Sequence, residues 1–302
     1  MKEFEFPSKG AGIIHAYRWE PDGIPVAVVQ LVHGIAEYSP RYDDFAKFLN
    51  SKGIVVVSED HMGHGRSHGT KAELFFEGGW TAAIDDTREL MRRTRQDYPK
   101  LPYFLFGHSM GSFMAWSFLY RYPTEKLSAA IICGTTWQPG AVLAGGRALC
   151  AIEKKRIGAT GHSNLLKKLM FGAYNDHFQP AKTPNDWICS NEDVVARYTA
   201  DPLCGGDATV GLSADMLCGI AMNQKKKHLD SIPKNLPILF IAGKLDPVSN
   251  MSKGVQRSYA EFRKIGIQDV SMKLYDGRHE ILNETNHMEV YADVWNYLKS
   301  KM

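Results

Sequence analysis

Leu101-Pro102-Tyr103-Phe104-Leu105-Phe106-Gly107-His108-Ser109-Met110-Gly111-Ser112-Phe113-Met114-Ala115-Trp116 is the stretch on which the fold turns. Residues 101–106 are apolar and rich in aromatics, and they read as a buried strand. Residues 112–120 read as a helix packed on several sides. Between them lies Gly107-His108-Ser109-Met110-Gly111, a G-x-S-x-G pattern in the strand-to-helix setting that presents a serine as a nucleophile. So tight a turn holds its serine in a strained conformation. A side chain at position 107 or 111 would clash where strand and helix cross.

A serine hydroxyl is a weak nucleophile at neutral pH and needs a base with an orienting acid. Residues 236–243 form another apolar, strand-like run, and Lys244-Leu245-Asp246-Pro247 leaves its carboxyl end. Residues 269–275 alternate like a strand, followed by Asp276-Gly277-Arg278-His279-Glu280. Open α/β sheets carry their sites beyond the carboxyl ends of the strands. Ser109, Asp246 and His279 all fall at such ends, in the chain order serine, acid, histidine. Rivals have simpler explanations. Among eleven histidines, His287 is the nearest competitor, but it opens the last helix, where a capping or surface role suits it. Asp276 sits in an Asp-Gly turn and Asp201 precedes Pro202. Asp246 also precedes a proline and is itself a plausible turn former; its place after a buried strand favours the orienting role.

Attack by Ser109 on a carbonyl would create an oxyanion that needs two donors. The N–H of Met110, next after the nucleophile, is one candidate. Strand 26–32 ends in His33-Gly34-Ile35, and the N–H of Ile35 is the natural second. His33 reads as a brace for this loop rather than as a titrating group. Glu37 and Arg41 are candidate substrate-binding residues at the polar end of a pocket. Four apart, they would simply pair with each other if helical.

The segments His33-Gly34-Ile35-Ala36-Glu37, Arg41-Tyr42, Asp60-His61-Met62-Gly63-His64-Gly65-Arg66-Ser67 and Gly107–Gly111 together resemble the monoglyceride lipase and lysophospholipase branch of the α/β-hydrolases. Asp246 and the His279-Glu280 pair match that family's acid and histidine positions. The resemblance covers about residues 26–120 and 236–300 and is weak between. It implies an α/β-hydrolase fold, a mostly parallel eight-stranded sheet with helices on both faces and an inserted cap. It also implies a serine carboxylic-ester hydrolase working through an acyl-enzyme on monoacylglycerols or lysophospholipids, without metal or cofactor. Tyr38 and Ser112 depart from it, standing where many relatives carry histidine and a third glycine. Two readings remain beside it, a carboxylesterase for short-chain or aromatic esters and a non-catalytic binding protein on the same fold. A proline iminopeptidase fits less well, since that branch usually carries extra glycine and tryptophan around the elbow.

Strand and helix signals alternate through strand 26–32, helix 40–51, strand 54–58, helix 80–98, strand 102–106, helix 111–121 and strand 127–133, after a hairpin from 3–6 and 13–19. The rhythm resumes with strand 236–243, helix 252–265, strand 269–275 and helix 286–300. The expected division is therefore a core of residues 1–135 and 233–302 with a cap of 136–232. Within the cap, Leu165, Leu166, Leu169, Met170 and Phe171 suggest one apolar helix face, and Lys167 and Lys168 are candidates to meet lipid phosphate. The plainer alternative is a helix packed on the core with its lysines in water.

At 302 residues and 44% hydrophobic content the chain can bury a large core. A net charge of +3 is too mild to argue for nucleic acid. Five irregularly spaced cysteines read as reduced thiols rather than a disulfide framework, and the first residues lack a signal-peptide pattern. No apolar run reaches membrane-spanning length, so the expectation is a cytoplasmic protein with at most transient lipid contact through the cap. His61, His64 and His68 cluster near Asp60 but match no common zinc spacing, and a structural turn is the expected role.

Overall fold

The computed structural model describes residues 1–69 and 74–302. The chain runs through β1 (Lys2–Pro7), β2 (Ile13–Trp19), β3 (Ala27–Val32), α1 (Asp43–Asn50), β4 (Ile54–Glu59), α2 (Gly79–Asp97), β5 (Tyr103–His108), α3 (Met110–Arg121) and β6 (Ala129–Cys133). A helical segment follows, with α4 (Gly140–Ile157), α5 (Asn164–Phe171), α6 (Glu192–Ala200), α7 (Val210–Asn223) and α8 (Lys226–Ser231). The alternation then resumes with β7 (Ile238–Gly243), α9 (Lys253–Lys264), β8 (Val270–Tyr275) and α10 (His287–Lys299).

All eight strands join one sheet, ordered β1-β2-β4-β3-β5-β6-β7-β8. The β1–β2 and β2–β4 pairs are antiparallel, and the others are parallel. Every residue of β3, β4, β5, β6 and β7 is buried, because helices cover both faces of a parallel sheet. On one face, Phe45 and Leu49 of α1 pack with Tyr291, Val294 and Leu298 of α10. On the other, α2, α3 and α9 contribute Trp80, Trp116 and Phe262, and α7 adds Leu212 and Ile220. This is the α/β-hydrolase fold.

From β3 the chain moves to β4 on one side, and later to β5 on the other. Such a reversal of strand order opens a crevice at the carboxyl ends, here between β3 and β5. One expected element differs. The helix anticipated over 40–51 begins as a 3-10 turn, Ser39–Tyr42, with Pro40 at its start, and α1 proper starts at Asp43. Tyr42, at φ −94° and ψ 10°, leaves the helical register between the two. No helix among the described residues is long and apolar enough to cross a membrane.

Candidate active site

The turn between β5 and α3 is a single residue. Ser109 sits at φ +54°, ψ −121°, a left-handed conformation that side chains rarely adopt. The flanking glycines explain how it is tolerated: a Cβ on Gly107 would lie 2.3 Å from the Gly111 carbonyl oxygen, and one on Gly111 2.0 Å from that of Val32. The Ser109 N–H donates to the Cys133 carbonyl at 2.9 Å, tying the turn to the end of β6. Ser112 donates its hydroxyl to the Ser109 carbonyl at 2.6 Å and so braces the turn from inside α3.

Asp246 follows β7 and His279 follows β8, and both are buried. Their side chains meet, His279 Nδ1 to Asp246 Oδ1 at 3.0 Å, and the Val248 N–H donates to the same oxygen at 2.9 Å. With the carboxylate accepting, Nδ1 carries the proton and Nε2 is left as the basic nitrogen. Ser109 stands across the end of β6 from this pair: Gly134, next after Cys133, is so close that a Cβ there would lie 3.1 Å from His279 Cε1. The His279 ring is also flanked by His108 and Trp187, at 4.8 and 5.3 Å between ring centres.

Burial opposes the charged form of His279, yet the Asp246 carboxylate, by its charge and its hydrogen bond, raises the ring's pKa above the usual 6.5, with smaller help from Glu280 and Glu37. A raised pKa keeps the ring protonated to higher pH, so the base form is lost as pH falls through that value. If His279 is the general base, kcat/KM has an acid limb with its midpoint above pH 6.5, and Asp246→Asn moves that midpoint down while lowering the plateau. A pH–rate profile of both proteins checks this; an unmoved midpoint in Asp246→Asn would exclude His279 as the titrating base.

The loop after β3 lies against the elbow. A Cβ on Gly34 would come within 3.0 Å of Ser109 Cβ and 2.6 Å of Glu37 Oε1, so only glycine allows this approach. Met110 opens α3, and its N–H has no acceptor within its own helix. Both expected donors, Ile35 and Met110, thus flank Ser109. Glu37 and Arg41 have internal partners. Glu37 Oε1 accepts the Gly34 N–H at 2.6 Å and the Tyr42 hydroxyl at 2.9 Å, and its Oε2 accepts from Arg41 at 2.7 Å. Arg41 also forms a two-pronged pair with Glu280, each bond 2.7 Å, and its guanidinium lies 4.7 Å over the Tyr198 ring. Neither Glu37 nor Arg41 lines a cavity described below, so the polar pocket end expected of them is instead a buried ion network. Glu280 is named in the sequence only as part of the His279-Glu280 pair and given no role there; the structure makes it the partner of Arg41. Burial pushes the Glu280 carboxyl up, but Arg41 more than offsets this and holds it well below the ordinary range. Glu37 goes the other way: burial raises it, and Arg41 only partly compensates.

Next to this loop, the His33 and His61 rings stack at 3.9 Å, with His64 5.4 Å from His33. The His61 N–H donates to His33 Nε2 at 3.0 Å, so His33 carries its proton on Nδ1, directed at the Gly34 carbonyl 2.7 Å away. Burial pushes His61 down to about 3 and His64 to about 4, and holds His33 far below 6.5. All three are neutral braces at pH 7. Among the described residues no set of three or more histidine, cysteine or acidic side chains is placed to hold a metal. His287 directs Nδ1 at the Glu284 carbonyl beside the start of α10, Asp276 pairs with Lys244, and Asp201 accepts from Tyr38.

Two cavities open on this centre. The larger, about 720 Å³, has Ser109 and Met110 at one end and walls from Phe113, Leu143, Leu166 and Ile220. A smaller one, about 480 Å³, is lined by Ile35 and Ala36 and shares Phe171 and Trp187 with the first. The apolar face expected on α5 is divided: Leu166 is buried, whereas Leu165 and Leu169 are exposed at 50% and 67%. Leu165 and Leu169, four apart, share one row of the helix, and Leu166 lies about 100° further round, so the core reaches one row and leaves the other in solvent.

Comparison with known proteins agrees with this architecture. Residues 23–286 match the family described as serine aminopeptidase, S33. A monoacylglycerol lipase of Mycolicibacterium smegmatis is 29% identical over 290 residues, covering 94% of this chain and 92% of the relative. A monoglyceride lipase of Rattus norvegicus is 26% identical, covering 88% of this chain and 79% of its own length. Among solved structures, a thermostable carboxyl esterase from Bacillus coagulans in complex with glycerol is 28% identical and superposes with a TM-score of 0.89, covering 99% of this chain and 98% of the esterase.

Proposed function

The chain belongs to the serine aminopeptidase S33 family of α/β-hydrolases, and on that premise we propose that it is a serine carboxylic-ester hydrolase for monoacylglycerols or lysophospholipids. The observation that carries the reading is the larger cavity. Its volume of about 720 Å³ lies within the range of ligand pockets, it begins at Ser109, and its walls are mainly apolar. The charged side chains lining it are Lys253 and Arg257, both cations. An aminopeptidase would need a carboxylate there for its substrate's ammonium group; an acyl chain needs none. The lipase and esterase relatives point the same way.

In this mechanism Ser109 Oγ attacks the ester carbonyl while His279 Nε2 takes its proton. Asp246 holds the ring in the tautomer that leaves Nε2 free and stabilises the imidazolium. The N–H groups of Ile35 and Met110 receive the developing oxyanion; losing one such donor typically costs about 2.7–4 kcal/mol in the transition state. His279 then hands its proton to the departing alcohol oxygen, and the Ser109 acyl ester remains. Water attacks that ester with His279 again as base, releasing the fatty acid. Residues 136–232 serve as the cap, which supplies most of the residues lining the acyl cavity. Exposed Val142 and Leu169 at the cavity support transient contact with a lipid surface. The cysteines are all unpaired, which fits a reducing, cytoplasmic compartment.

An acyl-length series tests the assignment. With p-nitrophenyl esters from two to sixteen carbons, kcat/KM should climb at least tenfold from acetate to the medium and long chains, and monoacylglycerol should be hydrolysed. A maximum at two to four carbons would replace the lipid reading with that of a short-ester carboxylesterase. No turnover of any ester would leave a binding protein.

A further inference from the structure

We propose that the smaller cavity receives the head group of the substrate and favours one that carries a phosphate; the proposal rests on the ester-hydrolase reading above. The two cavities share Phe171 and Trp187, whose ring lies 5.3 Å from that of His279; one has Ser109 in its lining and the other Ile35 and Ala36. An ester carbonyl placed on Ser109 with its oxygen toward the Ile35 N–H extends its acyl chain into the first cavity, which leaves the second for the alcohol. The second differs in the charged side chains that line it. Lys167 and Lys168 of α5 both line it. Lys167 is paired with Asp207 across the cavity wall at 2.6 Å. Lys168, exposed at the rim, has no carboxylate partner among the described residues, so the described part of the wall carries one more positive charge than negative.

The cavity is also built in advance of any ligand. Its far wall, the loop around Gly205, is fastened to the oxyanion loop: the Gly205 N–H donates to the Ala36 carbonyl at 2.9 Å and the Tyr198 hydroxyl to the same oxygen at 3.0 Å. Tyr38 adds a third tie, its hydroxyl donating to Asp201 at 2.8 Å. Here the tyrosine that departs from the resembling family acquires a purpose, since it holds the head-group wall to the loop that carries a candidate oxyanion donor. A free glycerol head offers hydroxyls, which draw nothing from a lone ammonium that water does not already supply. A phosphate oxygen offers a charge-assisted acceptor, which Lys168 can meet with the Lys167–Asp207 pair intact. Lys253 and Arg257 of the other cavity are the competing cations: Arg257 is paired with Glu261 at 2.6 Å, whereas Lys253, like Lys168, has no carboxylate partner among the described residues, and both line the acyl side, so Lys253→Glu is the control that separates them.

The test compares 1-octanoylglycerol with 1-octanoylglycerol 3-phosphate, each below its critical micelle concentration so that surface charge plays no part. The phosphate ester should be favoured at least tenfold in kcat/KM, and the preference should shrink as salt rises from about 50 to about 500 mM. Lys168→Glu should reduce the ratio at least tenfold, Lys168→Arg should keep it, and Lys253→Glu should leave it in place. Calorimetry on the wild-type protein adds a readout independent of turnover: sn-glycerol 3-phosphate should bind, more weakly in Lys168→Glu, and glycerol should not. A ratio near one, a ratio untouched by Lys168→Glu, or a ratio erased by Lys253→Glu instead overturns the proposal. Inorganic phosphate binding as tightly as sn-glycerol 3-phosphate also overturns it, marking a free-anion site. If no ester is hydrolysed, the ester-hydrolase reading fails, and the calorimetric arm still decides whether the cavity takes phosphate.

Discussion

Ser109→Ala is expected to lower kcat for ester hydrolysis by about 10⁴- to 10⁶-fold and to abolish labelling by a fluorophosphonate probe. His279→Ala should cost a similar factor, and the double variant little more, because the two groups act in one step and either loss removes it. What remains would be the contribution of the oxyanion donors and of binding alone. Stability gives a second readout. Ser109 occupies a left-handed conformation at φ +54° that its neighbours impose. Ser109→Gly should relieve that strain and stabilise the fold by about 1 kcal/mol while being as inactive as Ser109→Ala. A serine kept in a strained turn for catalysis predicts this opposition of stability and activity. A Ser109→Ala protein that still turns over esters would remove the enzyme reading.

Arg41→Ala is expected to destabilise the protein by about 3–5 kcal/mol, the range for removing one partner of a buried ion pair. The magnitude follows from what stays behind: Glu37 and Glu280 are only 4% and 5% exposed, and each would be left as a buried carboxylate without its cation. Arg41→Lys should recover only part of the loss, since an ammonium cannot reproduce the two-pronged bond to Glu280 while also reaching Glu37. An effect on kcat should accompany it. Glu37 fixes the Gly34 N–H, one residue before Ile35, the proposed oxyanion donor, and Glu280 adjoins His279, so Arg41 links the two loops on which the proposed chemistry depends. Denaturant unfolding and steady-state kinetics on the same preparations check both effects. A loss below about 1 kcal/mol would mean that the network behaves like a surface ion pair.

The strand ends and most helix ends were legible within a residue or two. The central strands are buried on both faces, so they read as continuous apolar runs with Gly, Pro or Asp at their ends. The elbow was legible for a related reason: its demands for Gly107, Ser109 and Gly111 are local and steric. The break between the turn Ser39–Tyr42 and α1 was not, since helical periodicity does not register a one-residue change of backbone angle. Glu37 and Arg41 were visible as a pair four residues apart, and the pairing alternative is the arrangement found, but their link to Glu280 joins distant parts of the chain and leaves no local pattern.

What the amino-acid sequence determined alone is the class of fold and the identity of the residues at the carboxyl ends of its strands, because both depend on short-range patterning of burial and turn chemistry. Tertiary structure alone decided that Arg41 meets Glu280, 239 positions away, and that segments around residues 35, 110, 143, 166, 187 and 216 enclose two cavities lined by different charged side chains. Those features depend on how the helices between β6 and β7 dock over the sheet. Docking is set by the summed packing of many distant side chains, and no local period records it.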